Sequence, residues 1–195
     1  MNSCVTLPED YREIFKLDLQ KDKRTALLVN GLALGIFALL LLAVVFFVPF
    51  YTLFDFTDLF GSFLKLGVLC LGTVVYTVLH EAVHGIFMRR FCEAKVKFGF
   101  TGLYAFAGSQ GYYCKRHYII IALAPIVVWG VVLAVVNALV PIGWFYVVFF
   151  IQAMNLSGAA GDLYVSAKMR KLPATILVQD TGVAMTVFDR AEEPA

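Results

Sequence analysis

The sequence predicts an all-α integral membrane protein: four transmembrane helices, a small cytoplasmic-side β-hairpin between helices 2 and 3, and a short C-terminal hairpin. Of its 195 residues, 61% are hydrophobic and 15% carry a formal charge, against roughly 25% in ordinary soluble domains. The apolar residues form four long runs, and of the 16 basic and 14 acidic residues only Glu81 and Asp162 lie inside them. Because so few charges cannot wet a soluble surface, we expect one membrane-embedded domain over residues 1–195.

The four apolar runs are each long enough to be a membrane span. A helix needs roughly 20 residues to cross a bilayer, and each run reaches or exceeds that length. Pro141 separates the last two runs and makes them a tight helical hairpin. The predicted spans cover residues 25–50, 66–88, 118–140 and 142–167.

The segments outside the spans have their own patterns. Residues 7–23 carry apolar side chains at helical spacing, which predicts an amphipathic helix at the membrane surface. Between spans 2 and 3, the stretch 95–107 alternates basic and apolar residues and contains Thr101-Gly102, which predicts a β-hairpin. The tail 168–195 includes a second hairpin pattern around Asp180-Thr181-Gly182.

The basic residues predict the orientation of the spans. Fifteen of the 16 Lys and Arg residues fall on one side of the predicted spans, and only Lys65 falls on the other. By the positive-inside rule, both termini are expected in the cytoplasm. The expected partners are the lipid bilayer and a membrane protein or peptide substrate. A net charge of +2 is too small to suggest a nucleic acid, and a homo-oligomer stays open.

The second span contains His80-Glu81-Ala82-Val83-His84, an H-E-x-x-H pattern. Residues four apart lie on one face of a helix, so both imidazoles can bind one Zn²⁺. The intervening Glu81 lies beside the water that the metal would activate and is the candidate general base. Ionisable residues inside a span cost several kcal/mol unless they are paired, so they are functional by default. The alternative is a buried polar network without a metal.

Asp162 is the candidate third zinc ligand, since a catalytic zinc site needs three protein ligands and one open position. His84 lies about 7.5 Å and Asp162 about 9 Å from the cytoplasmic ends of their helices, at about 1.5 Å per residue. Zn²⁺ with Asp162 and an ionised Glu81 is formally neutral, which favours burial. Asn155, two turns earlier, is a candidate substrate-binding residue, although helix-to-helix bonding explains it equally well. His117 is expected at the membrane interface rather than in the site.

These residues carry a resemblance to two related groups. His80-Glu81-x-x-His84-Gly85 in a membrane helix, with Asn155 to Asp162 on a later span, resembles the site-2 protease class of intramembrane zinc metalloproteases. Together with Lys97-Phe98-Gly99-Phe100 and Ala124-Pro125, the pattern resembles a small bacterial family of zincin-type membrane peptidases catalogued as a domain of unknown function. The resemblance implies that His80, His84 and Asp162 bind zinc, that Glu81 is the general base, and that the protein resides in a bacterial cytoplasmic membrane.

The function expected from the sequence is therefore an intramembrane zinc metalloprotease. It would hydrolyse peptide bonds of membrane-spanning or membrane-proximal substrates by a zinc-activated water. An edge of the 95–107 hairpin could hold an unwound substrate by strand addition. Two rivals stay open, a non-catalytic metal-binding protein that regulates or assists transport, and a scaffold with a vestigial site.

Overall fold

The computed structural model describes residues 3–18, 21–102 and 104–191. The described chain contains strands as well as helices. In chain order the elements are β1 (Tyr11–Leu17), α1 (Lys23–Val45), α2 (Leu59–Phe91), β2 (Val96–Phe100), β3 (Ala105–Ser109), β4 (Tyr112–Cys114), α3 (Lys115–Leu139), α4 (Phe145–Gly158), α5 (Ala160–Arg170), β5 (Leu177–Asp180) and β6 (Met185–Arg190).

Within the described residues, four helical segments are long and apolar enough to cross a membrane. They correspond to the four apolar runs of the sequence and cover Lys23–Val45, Leu59–Phe91, Lys115–Leu139 and Ile142–Arg170. Large apolar side chains on these segments are exposed, including Leu34, Leu39, Val74, Val131 and Leu139. Exposed apolar surface of this extent is what a membrane-embedded helix presents to lipid, so the chain is described as a multi-pass membrane protein.

The prediction of an all-α fold is wrong. In the described part of the chain six strands form two sheets, one with the order β1-β6-β5-β4 and one of β2 and β3. We call the first of these the terminal sheet, because it joins strands from both ends of the chain. The fold therefore combines membrane-competent helices with antiparallel β-structure.

The predicted hairpins and the predicted N-terminal helix are also misplaced. Residues 11–17 form strand β1 of the terminal sheet, where Tyr11 pairs with Arg190, instead of an amphipathic helix. The second strand of the predicted 95–107 hairpin begins at Ala105, and β4 follows it to join the terminal sheet. The C-terminal hairpin is likewise one part of that sheet, between β1 and β4.

The chain divides into two compact units. Unit 1 groups the described residues of Met1–Leu28, Glu81–Ala124 and Asp162–Ala195. Strands β4, β5 and β6 of the terminal sheet pack against the parts of α2, α3 and α5 that belong to this unit. Their side chains form one buried apolar cluster. Fully buried members of this cluster are Tyr113, Ile121, Met169, Ile176, Val178 and Val187.

Unit 2 comprises Val29–His80 and Pro125–Gly161 and is helical throughout its long elements. Its interior is aromatic: Tyr146 and Phe149 are buried and pack edge to face with ring centroids 6.0 Å apart. The Tyr146 hydroxyl donates to the Val48 carbonyl oxygen at 2.6 Å. Burying this phenol therefore leaves no unpaired hydroxyl, which is the condition for placing a tyrosine in an apolar core.

Candidate metal site

Helix α2 carries the H-E-x-x-H residues and has two chemically different faces. Val74, Val78 and Ile86 are exposed on one face, whereas Tyr76 and His80 are buried. In a soluble protein the apolar face of a helix is buried and its polar face is exposed. A helix in lipid has the opposite arrangement, since its polar side chains must be sheltered by protein. The spacing of four residues places His80 and His84 one above the other on the sheltered face.

His80, His84 and Asp162 form a group of potential metal ligands. One ligand atom of each residue lies within 4.8 Å of those of the other two. Asp162 lies in the first turn of α5, where the helix dipole favours a carboxylate. The side chains of His84 and Asp162 are 11% and 26% exposed, so the carboxylate is the more accessible of this pair.

Pro125 explains how His84 is held. Because proline has no backbone N–H, Pro125 inside α3 cannot donate to the carbonyl of Ile121, four residues earlier. The Nδ1 atom of His84 lies 2.9 Å from that carbonyl oxygen. Since a carbonyl only accepts, His84 carries a hydrogen on Nδ1, and Nε2 is the ring atom that remains to act as a metal ligand. This Nε2 atom lies 3.7 Å from Asp162 Oδ1.

His80 has a side-chain partner instead. Its Nδ1 atom lies 2.8 Å from the Tyr76 hydroxyl, which donates to Asn155 Oδ1 at 2.9 Å. The Asn155 amide nitrogen donates to the Ile126 carbonyl oxygen at 3.1 Å. Asn155 is completely buried. The predicted role of Asn155 in substrate binding stays a prediction, and its amide already serves two hydrogen bonds inside unit 2.

The residues present fit a zinc ion. Two imidazoles and one carboxylate are the kind of donor set that catalytic zinc sites use, with a fourth position left open. The His84 Nε2 atom and the Asp162 carboxylate oxygen Oδ1, one potential ligand atom from each residue, lie 3.7 Å apart. Glu81 follows His80 directly and is partly buried, as a base that must meet water requires.

A further polar pair in unit 1 went unnoticed in the sequence. The Tyr118 hydroxyl, one turn before Ile121 on α3, donates to Asp180 Oδ2 at 2.7 Å, and the Gly182 N–H donates to Oδ1 at 2.8 Å. Loss of hydration raises the pKa of the Asp180 carboxyl above its usual range, and the charge of Asp162 acts in the same direction. Both hydrogen bonds and the charge of His84 lower it. Asp180 therefore lies within the electrostatic reach of two proposed ligands.

Strand β2 comes close to α2 directly after the second histidine. A Cβ atom at Gly85 would lie 2.3 Å from Cζ of Phe98, closer than real side chains approach. Gly85 thus allows the Phe98 ring to lie against the helix backbone, which is the use of glycine wherever two segments meet tightly. This contact brings an edge strand next to the H-E-x-x-H residues.

His117 has contacts of its own in unit 1. Its Nδ1 atom is 2.8 Å from Ser3 Oγ, and its ring stacks on Phe91 with the centroids 4.1 Å apart. Sequence reasoning missed three groups near the histidines: the Tyr76 hydroxyl, the Ile121 carbonyl and Asp180. Tyr76 had a signal, because it precedes His80 by four residues on the same face.

These features define the class: a multi-pass membrane protein of helices and β-sheets with a candidate metal site of two histidines and an aspartate. A family model described as "putative zincin peptidase" matches residues 73–177, more than half of the chain, and the chain belongs to that family. Membership suggests metallopeptidase activity and implies zinc. No curated protein and no solved structure matches the chain.

Proposed function

We propose that this protein is an intramembrane zinc metalloprotease that hydrolyses peptide bonds in membrane-spanning or membrane-proximal substrates. The observation that carries the proposal is that His80 and His84, on a helix that is able to cross a membrane, form one group of potential ligands with Asp162 of another such segment. Membership of a zincin family supports a peptidase rather than a metal carrier. The position of the two histidines inside a membrane-competent helix favours substrates that reach the site from the membrane.

The residues of the chain have separate roles in this proposal. His80, His84 and Asp162 would hold the ion, and each histidine offers Nε2 because its Nδ1 atom has another partner. A bound zinc ion supplies a Lewis acid that polarises the scissile carbonyl and makes water more acidic. Glu81 takes a proton from the attacking water, holds it on its carboxylate, and delivers it to the amine that leaves.

Strand β2 is the proposed docking edge for the substrate. A peptide bond inside a helix is shielded by the helix itself, so the substrate must unwind before hydrolysis. Among the described residues β2 pairs with β3 alone, which leaves its other edge with backbone groups for an added strand. The Phe98 contact at Gly85 supports this role, because it brings that strand beside the helix that carries Glu81.

The proposed orientation has both termini in the cytoplasm of a bacterial cell. It is supported by the basic residues Arg89, Arg90, Lys168 and Arg170, which lie in the last turns of α2 and α5. The positive-inside rule favours the cytoplasmic side for such residues. Water and a substrate segment would then meet the site from the cytoplasmic face.

The test is Glu81→Gln in the full chain, reconstituted in liposomes with a panel of labelled single-span membrane proteins. We expect wild type to cleave at least one of them, and Glu81→Gln to lose at least about 1,000-fold in rate while retaining zinc. Glu93→Gln is the matched control, because Glu93 is exposed just beyond the end of α2. Cleavage by Glu81→Gln at the wild-type rate would refute the general base. Zinc binding without cleavage by wild type would favour the non-catalytic alternative.

A further inference from the structure

The hydrogen bonds around Tyr76 have one consistent arrangement of protons. The Ile126 carbonyl oxygen only accepts, so the NH₂ group of Asn155 faces it and the Asn155 Oδ1 atom faces Tyr76. An amide oxygen also only accepts, so the single hydroxyl hydrogen of Tyr76 points to Asn155. The phenol oxygen can then only accept from His80, whose Nδ1 atom lies 2.8 Å away.

His80 must therefore carry its hydrogen on Nδ1. A neutral imidazole has one N–H, so the Nε2 atom of His80 carries a lone pair instead of a hydrogen, which is the form that binds a metal. The positions of these hydrogens are therefore fixed by the main-chain carbonyl of Ile126 in α3, through the side chains of Asn155 and Tyr76. Every side chain in the chain of bonds is buried, so water does not compete for these partners.

We propose that Tyr76 and Asn155 are positioning residues that set the tautomer and ring orientation of His80 for metal binding. The inference rests on the metal site of the proposed function and does not need proteolysis. Groups of this kind around zinc-binding histidines typically change metal affinity by roughly 10–100-fold when removed. Asn155 acts here through Tyr76, which is a different role from direct contact with a substrate.

The competing explanation is ordinary packing, in which the Tyr76 hydroxyl only satisfies a buried polar atom. Tyr146 provides the matched comparison in the same unit. Its side chain is also buried, and its hydroxyl donates to a carbonyl oxygen, that of Val48. Deleting the Tyr146 hydroxyl removes its hydrogen bond to Val48, and deleting the Tyr76 hydroxyl removes those to Asn155 and His80, so both substitutions are expected to destabilise the fold, Tyr76→Phe the more of the two. Only deletion at Tyr76 should affect zinc.

The experiment uses the full chain in lipid nanodiscs as wild type, Tyr76→Phe and Tyr146→Phe. Zinc affinity is measured by competition with a fluorescent chelator. We expect Tyr76→Phe to bind zinc roughly 10–100-fold more weakly and Tyr146→Phe to stay within twofold of wild type. Equal affinity of Tyr76→Phe and wild type would overturn the proposal, as would equal losses in both variants.

A second readout needs no metal at all. The chain has three histidines, so ¹⁵N spectra of histidine-labelled apo protein can be assigned by single substitutions. We expect the Nδ1–H tautomer at His80 in wild type and a mixture of tautomers in Tyr76→Phe. An Nε2–H tautomer at His80 in wild type would overturn the inference. If wild type binds no zinc, the proposed function fails while this spectrum still decides the tautomer.

Asn155→Leu separates positioning from substrate contact. A positioning role predicts weaker zinc binding and a lower kcat, with KM near that of wild type. A higher KM with unchanged zinc affinity would instead assign Asn155 to the substrate and overturn its part of the proposal. Tyr76→Phe, which keeps Asn155, tests the remaining part independently.

Discussion

His80 and His84 lie one turn apart on α2, but different kinds of groups hold them. The partner of His80 is the Tyr76 hydroxyl, which in turn depends on Asn155. The partner of His84 is the main-chain carbonyl of Ile121, which lacks a helical donor because residue 125 is proline. A hydroxyl is lost through one substitution, whereas a carbonyl is present whatever the side chain. The difference indicates that His80 is the more easily disturbed of the two histidines.

The largest expected effect on zinc binding comes from removing a whole ligand side chain. Such a substitution should have a similar effect at His80 and at His84, whatever group holds each histidine. His80→Ala, His84→Ala and Asp162→Ala should each weaken zinc binding by roughly 100-fold or more, because each donor carries a large share of the binding free energy. Chelator competition measures this. His117→Ala is the control and should bind zinc like wild type, since His117 contacts Ser3 and Phe91 instead. Zinc loss in that control, with retention in Asp162→Ala, would reverse the ligand set.

Pro125→Ala tests the main-chain side of the comparison and should have a smaller effect. Alanine supplies an N–H that competes with His84 for the Ile121 carbonyl, so zinc affinity should fall by up to about 10-fold, less than in Tyr76→Phe. Removing proline from a helix interior should at the same time leave the apo protein at least as stable. Pro8→Ala, an exposed proline, controls for the substitution. Unchanged zinc affinity in Pro125→Ala would show that the carbonyl does not matter.

Gly85→Ala should leave the positions of both histidines and the zinc affinity unchanged. It should only increase the distance between β2 and α2. The new methyl group would displace Phe98, so we expect cleavage to slow by roughly 10-fold through loss of substrate positioning. Gly67→Ala on the same helix is the control. Apart from its own stretch of helix, no part of the described chain lies within 4 Å of its Cβ position, and the substitution should stabilise the helix by about 0.5–1 kcal/mol. Normal cleavage by Gly85→Ala would remove β2 from the substrate site.

The sequence predicts well those features that depend only on residues close together in the chain. Four apolar runs mark the membrane-competent helices because a bilayer imposes length and composition on each span separately. The two histidines are visible because they are four residues apart on one helix. Asp162 was inferred from its depth in a later span, and the structure brings it to the same group.

Strand β1 and the sheet around it could not be predicted in this way. Tyr11 pairs with Arg190, a partner at the other end of the chain, and the spacing of Leu7, Tyr11, Ile14 and Phe15 fits a helix when it is considered alone. Non-local pairing overrides such local patterns, as it commonly does for β-structure. The Ile121 carbonyl was missed for a different reason, since every residue has one and only Pro125 marks this one as available.

The most direct test of the central claim is zinc-edge X-ray absorption of the purified full chain with one equivalent of zinc. We predict two imidazole nitrogens and a carboxylate oxygen at about 2.0–2.2 Å from the ion, and the loss of the oxygen contribution in Asp162→Ala. Sulfur neighbours at about 2.3 Å, or a spectrum that is unchanged in His80→Ala and His84→Ala, would contradict a site built from His80, His84 and Asp162.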